Sequence, residues 1–266
     1  MMPILEEAWK EVQDHFGNSD LERIEGMLEI LAGVKAPTPA PLQEVSLSEG
    51  ISIYIPGLST KHWHSPEAFP WHKQLEASFP QIKEEMLRTV QVKANLEPYS
   101  STYDVSGGIL GTQEASPEVL NEFWGATFFY KYFARVDAKC ALCPTTAKLI
   151  DSVGVAREAL FSVLEPGAHI PPHSDRMNFV TTCHLGLLIP DNCALRVGTE
   201  TRQWEEGRCF FFDSSFEHEA WNRSNSRRVV LLLDVWHPDL KPKEIEVMTH
   251  LRPRIEKLLG AQPRAA

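Results

Sequence analysis

Apolar residues recur at helical spacing at both ends of the chain and at strand spacing through its second half. Leu5, Ala8, Trp9, Val12 and Phe16 share one face of a first predicted helix, which Gly17-Asn18 should end. Ser19 followed by Glu22 reads as a capping box for a second helix, with Leu21, Ile24, Leu28 and Leu31 on its apolar face. The pair predicts a helical hairpin over 1–34, either packed on the main domain or offering a docking surface to a carrier or partner protein. KAPTPAPLQEV, residues 35–45, has three prolines that suit neither a helix interior nor a central strand, and reads as a linker. Residues 46–100 predict an early strand in ISIYIPGL and a helix near 80–93 carrying Ile82, Met86 and Val90. The stretch 101–123, with Ser106-Gly107-Gly108, reads as polar loop, and Phe128, Phe129, Tyr130, Tyr132 and Phe133 as an aromatic strand.

From about 156 the pattern becomes a series of short strand-like runs: ALFSVL, VTTCHLGLLI, CALRVG, TETRQW, RCFFFD and RRVVLLLDVW. Pro-Gly, Pro-Asp, Glu-Gly and Ser/Asn-rich turns separate them, the pattern of a sandwich, jelly roll or small barrel. A helix near 242–259, interrupted at Pro253, closes the chain. The expected fold is mainly β with flanking helices: a jelly-roll core over about 156–237 within a domain spanning 46–266.

At 266 residues the chain can bury a core of its own without a disulfide scaffold. Its 26 basic and 36 acidic residues leave a net charge of −10, which argues against a nucleic-acid partner and against anionic membrane surfaces. Eight acids and two bases fall in the first 34 residues, so the rest is only mildly acidic. No apolar run approaches the roughly 20 residues of a membrane span, and MMPILEEAWKEVQ lacks the pattern of a signal peptide. Five cysteines without regular spacing suggest a reduced, cytoplasmic protein.

The chemistry is concentrated in EPGAHIPPHSDRMN, where His173-Ser174-Asp175 forms an H-x-D triplet, with His218 following 45 residues later in FDSSFEHEAW. Two imidazoles and one carboxylate compose the facial triad of non-haem Fe(II) oxygenases, which leaves three metal positions for oxidant and co-substrate. Alternate residues of an extended segment share a face, so His173 and Asp175 can address one metal if a neighbouring strand brings His218. Arg228 lies ten residues after His218 in a strand-like run. Its guanidinium could grip a carboxylate of a dicarboxylic co-substrate with two parallel hydrogen bonds. Arg227 would face the other way, toward solvent.

Together EPGAHIPPHSD, HLGLLIP, TRQWEEGRCFFFDSSFEHEAWN and VLLLDVWHPDL resemble the catalytic domain of the aspartyl/asparaginyl β-hydroxylases, Fe(II)- and 2-oxoglutarate-dependent oxygenases. The likeness is dense over about 157–240 and reaches more thinly, through WGATFF and YIPGLSTKHW, to about residue 51. It implies a double-stranded β-helix that holds iron, with 2-oxoglutarate and O₂ as co-substrates. It places His173 and His218 on the iron, Ser162 and Arg228 at the distal carboxylate of 2-oxoglutarate, and His184 near the other carboxylate. Trp124 falls on a pocket-lining tryptophan.

Two positions depart from the family pattern. The animal members have glycine where this chain has Asp175 and bind iron through two histidines. The carboxylate here completes a triad or, alternatively, serves as an outer group or a base on bound water. At Thr182 the animal enzymes carry an arginine that helps hold the acidic side chain of the substrate; Arg176 or Arg196 would have to supply that charge. Asp213 is a candidate to orient a ligand histidine, or a turn aspartate.

Several other residues read as structural. Cys140-x-x-Cys143 lacks the second pair of a zinc site. His62, His64 and His72 lie in an aromatic loop, His169 sits off the ligand face, and His237 falls at a strand end. The expected activity is hydroxylation of an unactivated C–H bond in an amino acid or a peptide side chain, with Asp/Asn-type β-hydroxylation favoured by the resemblance. Desaturation or cyclisation with the same cofactors, a cupin-like metal enzyme without 2-oxoglutarate, and a silent binding module are the alternatives. A lipid hydroxylase is expected to carry membrane segments.

Overall fold

The computed structural model describes residues 3–35, 53–99, 124–175 and 177–258. The linker at 36–45, the loop at 101–123 and Arg176 lie outside the described residues.

Strand β12 (Arg228–Trp236) lies at the centre, paired antiparallel with β5 (Val155–Leu164) on one edge and β7 (Val180–Leu188) on the other. The large sheet continues past β7 to β10 (Cys209–Phe212) and β1 (Trp63–His64), and past β5 to β3 (Trp124–Lys131) and β2 (Glu97–Pro98). A short strand β4 (Ala134–Arg135) also pairs with β3. A second sheet has the order β6 (His169–His173), β11 (His218–Asn222), β8 (Cys193–Val197) and β9 (Glu200–Arg202). From β5 to β12 the chain passes back and forth between the two sheets, with β8 and β9 forming a hairpin in the smaller one. This is the expected jelly roll, a double-stranded β-helix.

Alternation along β12 sorts its side chains. Val229, Leu231, Leu233 and Val235 pack outward against α4 (Phe79–Val90) and α6 (Pro144–Val153), together with Ile82, Met86, Ala147 and Ile150. Val230 and Leu232 point between the sheets, among Phe128, Leu160, Leu195 and Phe212. Both faces of the strand are covered, so it reads as a nearly unbroken apolar run. In α4, Glu85 accepts from the Thr145 and Thr146 amides at 2.9 and 2.8 Å, satisfying free donors at the start of α6. Cys140 lies in α5 (Asp137–Leu142) and Cys143 just beyond it; all five cysteines are buried free thiols.

Helices α1 (Pro3–Phe16) and α2 (Glu22–Leu31) form the expected hairpin, and Gly17, at φ 70°, ends α1. The capping box does not form: α2 begins at Glu22, and Leu21 precedes it without a side-chain cap. The apolar faces that suggested a docking surface are buried on the body of the protein. Leu5, Val12, Ile24 and Met27 pack with Phe179, Val180, Val247 and Leu251. Gly26 comes so close to Pro56 that an added Cβ would lie 2.9 Å from its Cγ. Three other expectations change. Ile53 forms an isolated bridge to Met177, with no regular strand over 53–58. Tyr132 and Phe133 turn the chain at positive φ after β3. Helix α7 (Pro242–Leu258) continues through Pro253.

If the hairpin belongs to the same cooperative unit, Ile24→Ala should lower the unfolding free energy by about 2–5 kcal/mol in one urea transition. Superimposable fluorescence and far-UV circular dichroism curves are the check, and a separate early helical transition would contradict it.

Candidate active site

His173 ends β6 and stands directly opposite His218, the first residue of β11, with ring centroids 4.1 Å apart. A register shift between these strands sets His218 against His173 and Ala220 against Ile170. Each imidazole is held from behind: His173 Nδ1 lies 2.8 Å from the Pro171 carbonyl oxygen, and His218 Nδ1 lies 2.9 Å from that of Phe216. A carbonyl only accepts, so each Nδ1 carries the proton and each Nε2 keeps its lone pair. Burial pushes the His218 imidazole down to about 3, with His173 beside it adding to the effect, and lowers His173 as well. Two neutral imidazoles with fixed tautomers are suited to hold a metal ion.

Asp175 lines the same pocket from the segment after β6, its amide donating to the Ser214 carbonyl at 2.7 Å. Its Oδ2 accepts from Arg157 Nη2 at 3.1 Å. Burial raises this carboxyl, but Arg157, His218 and His173 together hold it below its ordinary value. Arg157, on β5, also donates through Nε to Asp234 Oδ2 at 2.6 Å, and Thr182 donates to Asp234 Oδ1 at 3.1 Å. Among the described residues no three His, Cys, Asp or Glu side chains are placed to hold a metal ion together. The carboxylate of Asp175 meets the guanidinium of Arg157, beside the histidine pair.

Further along the pocket lies a cationic end. Arg228 is 1% exposed, and among the described residues its Nε has no hydrogen-bond partner. Its Nη1 reaches the Ser162 carbonyl at 3.3 Å and Ser162 Oγ at 3.4 Å, and its guanidinium lies 4.8 Å from the Trp204 ring. Among the described residues no carboxylate pairs with it, and burial pushes it down to about 9, leaving it charged at neutral pH. Ser162 Oγ also accepts from Trp124 Nε1 at 3.1 Å, and Tyr99 stacks on Trp124 at 3.9 Å. Trp204 Nε1 donates to His184 Nδ1 at 3.1 Å, which leaves the proton of His184 on Nε2. Burial and the nearby Arg228 hold His184 well below its ordinary value, so it is a neutral donor.

All seven expected site residues thus line one pocket: Trp124, Ser162, His173, Asp175, His184, His218 and Arg228. Asp213 does not orient either histidine, since backbone carbonyls do so. It accepts from the Ser215 amide at 2.9 Å in a turn, and burial pushes it up to about 6. Arg196 pairs with Glu217 and Glu219, so it does not supply the charge absent at Thr182. His169 binds Glu219 at the surface, His72 the Phe69 carbonyl, and His64 packs edge-on against His237. Sequence reasoning missed Arg157, Asp234 and Trp204. The signal for two of them was a charged residue inside an otherwise apolar strand.

Residues 76–238 match the model of the family described as aspartyl/asparaginyl beta-hydroxylase. The chain belongs to this family. It is 28% identical over 201 residues to the ornithine lipid ester-linked acyl 2-hydroxylase of Rhizobium tropici, covering 74% of this chain and 68% of that protein. It is 30% identical over 203 residues to the human aspartyl/asparaginyl beta-hydroxylase, covering 73% of this chain but 25% of that protein. The chain therefore spans about a quarter of the length of the human relative. Among solved structures, a predicted oxalate decarboxylase from Thermotoga maritima aligns at TM-score 0.27 and 19% identity, over 30% of this chain and 66% of that one. The family match begins at α3 (His72–Ala77) and omits the α1–α2 hairpin. No helix among the described residues is long and apolar enough to cross a membrane.

Two buried ionisable groups, Glu158 behind the pocket-lining Tyr99 and Arg228 within the pocket, set measurable stabilities. Burial, with Asp234 and Asp175 nearby, pushes Glu158 from an ordinary 4.5 up to about 7 against the opposing pull of Arg157. The folded protein keeps a proton here that the unfolded chain releases, so stability falls as pH rises from 4.5 to 7. Relative to Glu158→Gln, the wild type should lose about 3 kcal/mol across this window, measured by urea unfolding at a series of pH values. Arg228→Met should stabilise the ligand-free protein by about 1–4 kcal/mol, because it removes a buried charge that has no carboxylate partner among the described residues. A loss of stability in the same assay would contradict that account.

Proposed function

We propose that this chain is an Fe(II)- and 2-oxoglutarate-dependent hydroxylase acting on an unactivated C–H bond of an amino acid or of an amino-acid side chain in a peptide. The observation that carries the reading is the buried Arg228. A guanidinium enclosed by Trp204 and Ser162, with an unused Nε and no carboxylate partner among the described residues, is a costly arrangement that an anionic ligand would relieve. The donor set fits such a ligand. Arg228 and the hydroxyl of Ser162 would hold one carboxylate of 2-oxoglutarate, and His184 would donate from Nε2 to the other end. The neutral imidazoles of His173 and His218 suit Fe(II).

When bound, the metal and co-substrate supply the oxidation of the C–H bond by O₂, with 2-oxoglutarate leaving as succinate and CO₂. The chain's own residues bind, orient and enclose. Backbone carbonyls behind His173 and His218 keep both Nε2 lone pairs toward the pocket. Tyr99, Trp124 and Phe212 exclude water from the space between the sheets. Thr182 and Asp234 give the pocket a polar wall near the histidines. The family resemblance favours Asp/Asn-type substrates, although Thr182 cannot form an ion pair with an acidic side chain. The similarity to an acyl 2-hydroxylase supports a second reading, in which the substrate is a lipid acyl chain.

Adding 2-oxoglutarate to anaerobic Fe(II)-loaded protein should produce a visible metal-to-ligand charge-transfer band. The band should be absent from both His218→Ala and Arg228→Ala. Iron binding without a band would overturn the 2-oxoglutarate reading in favour of a cupin-like metal enzyme.

A further inference from the structure

Spacing alone puts His173 and Asp175 on one face, yet the structure gives them different partners. His173 completes its cross-strand pair with His218 at the end of β6. Asp175 lies beyond that strand, where its carboxylate meets Arg157 at 3.1 Å. The guanidinium is itself fixed. Arg157 Nε binds Asp234 at 2.6 Å, and Asp234 is bound by Thr182 from β7. All four residues are buried. The chain Thr182–Asp234–Arg157–Asp175 therefore ties the loop carboxylate to three strands of the large sheet, β7, β12 and β5. A register shift in the β12–β5 pairing between Leu233 and Val235 lies at this point. Such an irregularity re-aims side chains locally, and Arg157 lines the pocket although Ala159 and Phe161, at alternate positions beyond it, pack outward.

We propose that Arg157 is a positioning residue that withholds Asp175 from the metal, so that among the described residues His173 and His218 alone ligate it. This rests on the reading of the histidine pair as a metal centre. A carboxylate in a buried, charge-assisted bond has a directional partner of its own, and that partner is anchored by a second carboxylate. The same network accounts for Thr182. Its hydroxyl fixes Asp234, and Asp234 fixes the guanidinium, so the wall's cation comes from β5 and is already committed to two carboxylates.

The test is Co(II) binding to the full chain, read as affinity and as the visible absorption that reports coordination number. Asp175→Asn should bind Co(II) within about threefold of the wild type, with an unchanged spectrum, while His218→Ala loses more than a hundredfold. Arg157→Met should free Asp175 to reach the metal, changing the spectrum and tightening binding about tenfold. The double variant Arg157→Met/Asp175→Asn should lose both effects. If Arg157→Met does not fold, Arg157→Lys with its thermal unfolding curve and the Asp175→Asn titration still decide the matter, since a retained cation should preserve the wild-type spectrum. A tenfold or greater loss in Asp175→Asn with an altered spectrum would overturn the proposal, because Asp175 would then be a ligand. Equal and negligible binding by wild type and His218→Ala would instead remove the metal centre itself, and the proposal with it.

Discussion

The register of β12 is the constraint on which the site depends. This strand is hydrogen-bonded along both edges, to β5 and to β7, and it is covered on both faces. A one-residue slip would exchange Arg228, Val230, Leu232 and Asp234 for the valines and leucines that face the helices. It would place two charges in an apolar layer and empty the pocket of its cation and its polar wall. The apolar residues on both faces thus hold the register, and the register places Arg228 at one end of the pocket and Asp234 at the other.

The second sheet answers the first with the histidine pair. Pairing of β6 with β11 sets two imidazoles side by side, tilted at 51°, and backbone carbonyls fix their tautomers. Backbone groups hold their positions with the sheet, so the imidazoles need no carboxylate to orient them. Asp213 and Asp175 are consequently available for other contacts: one holds a turn, the other binds Arg157.

Charge is distributed unevenly along this interior. Among the described residues Arg228 is buried without a carboxylate, whereas Arg157 is shared by two. An uncompensated buried cation is costly to hold, whereas one shared by two carboxylates ties its strands together. The two arginines have similar burial and opposite meaning. Only the identity of their neighbours separates them.

Much of this was legible in the residues. Short apolar runs separated by turn residues indicated the jelly roll, because strand alternation is written locally. The two histidines, Arg228 and the helical periodicity of the hairpin were legible for the same reason, and resemblance supplied Ser162, His184 and Trp124. Tertiary structure decided the rest. The capping box at Ser19 gave way to hairpin packing, and Tyr132 and Phe133 became a turn. Asp213 became a turn residue. The partner of Asp175 comes from a position 18 residues away on a different strand, and that of Arg157 from 77 residues away. Spacing can say that two side chains share a face. It cannot say which third side chain, delivered from another strand at a register irregularity, will reach one of them first.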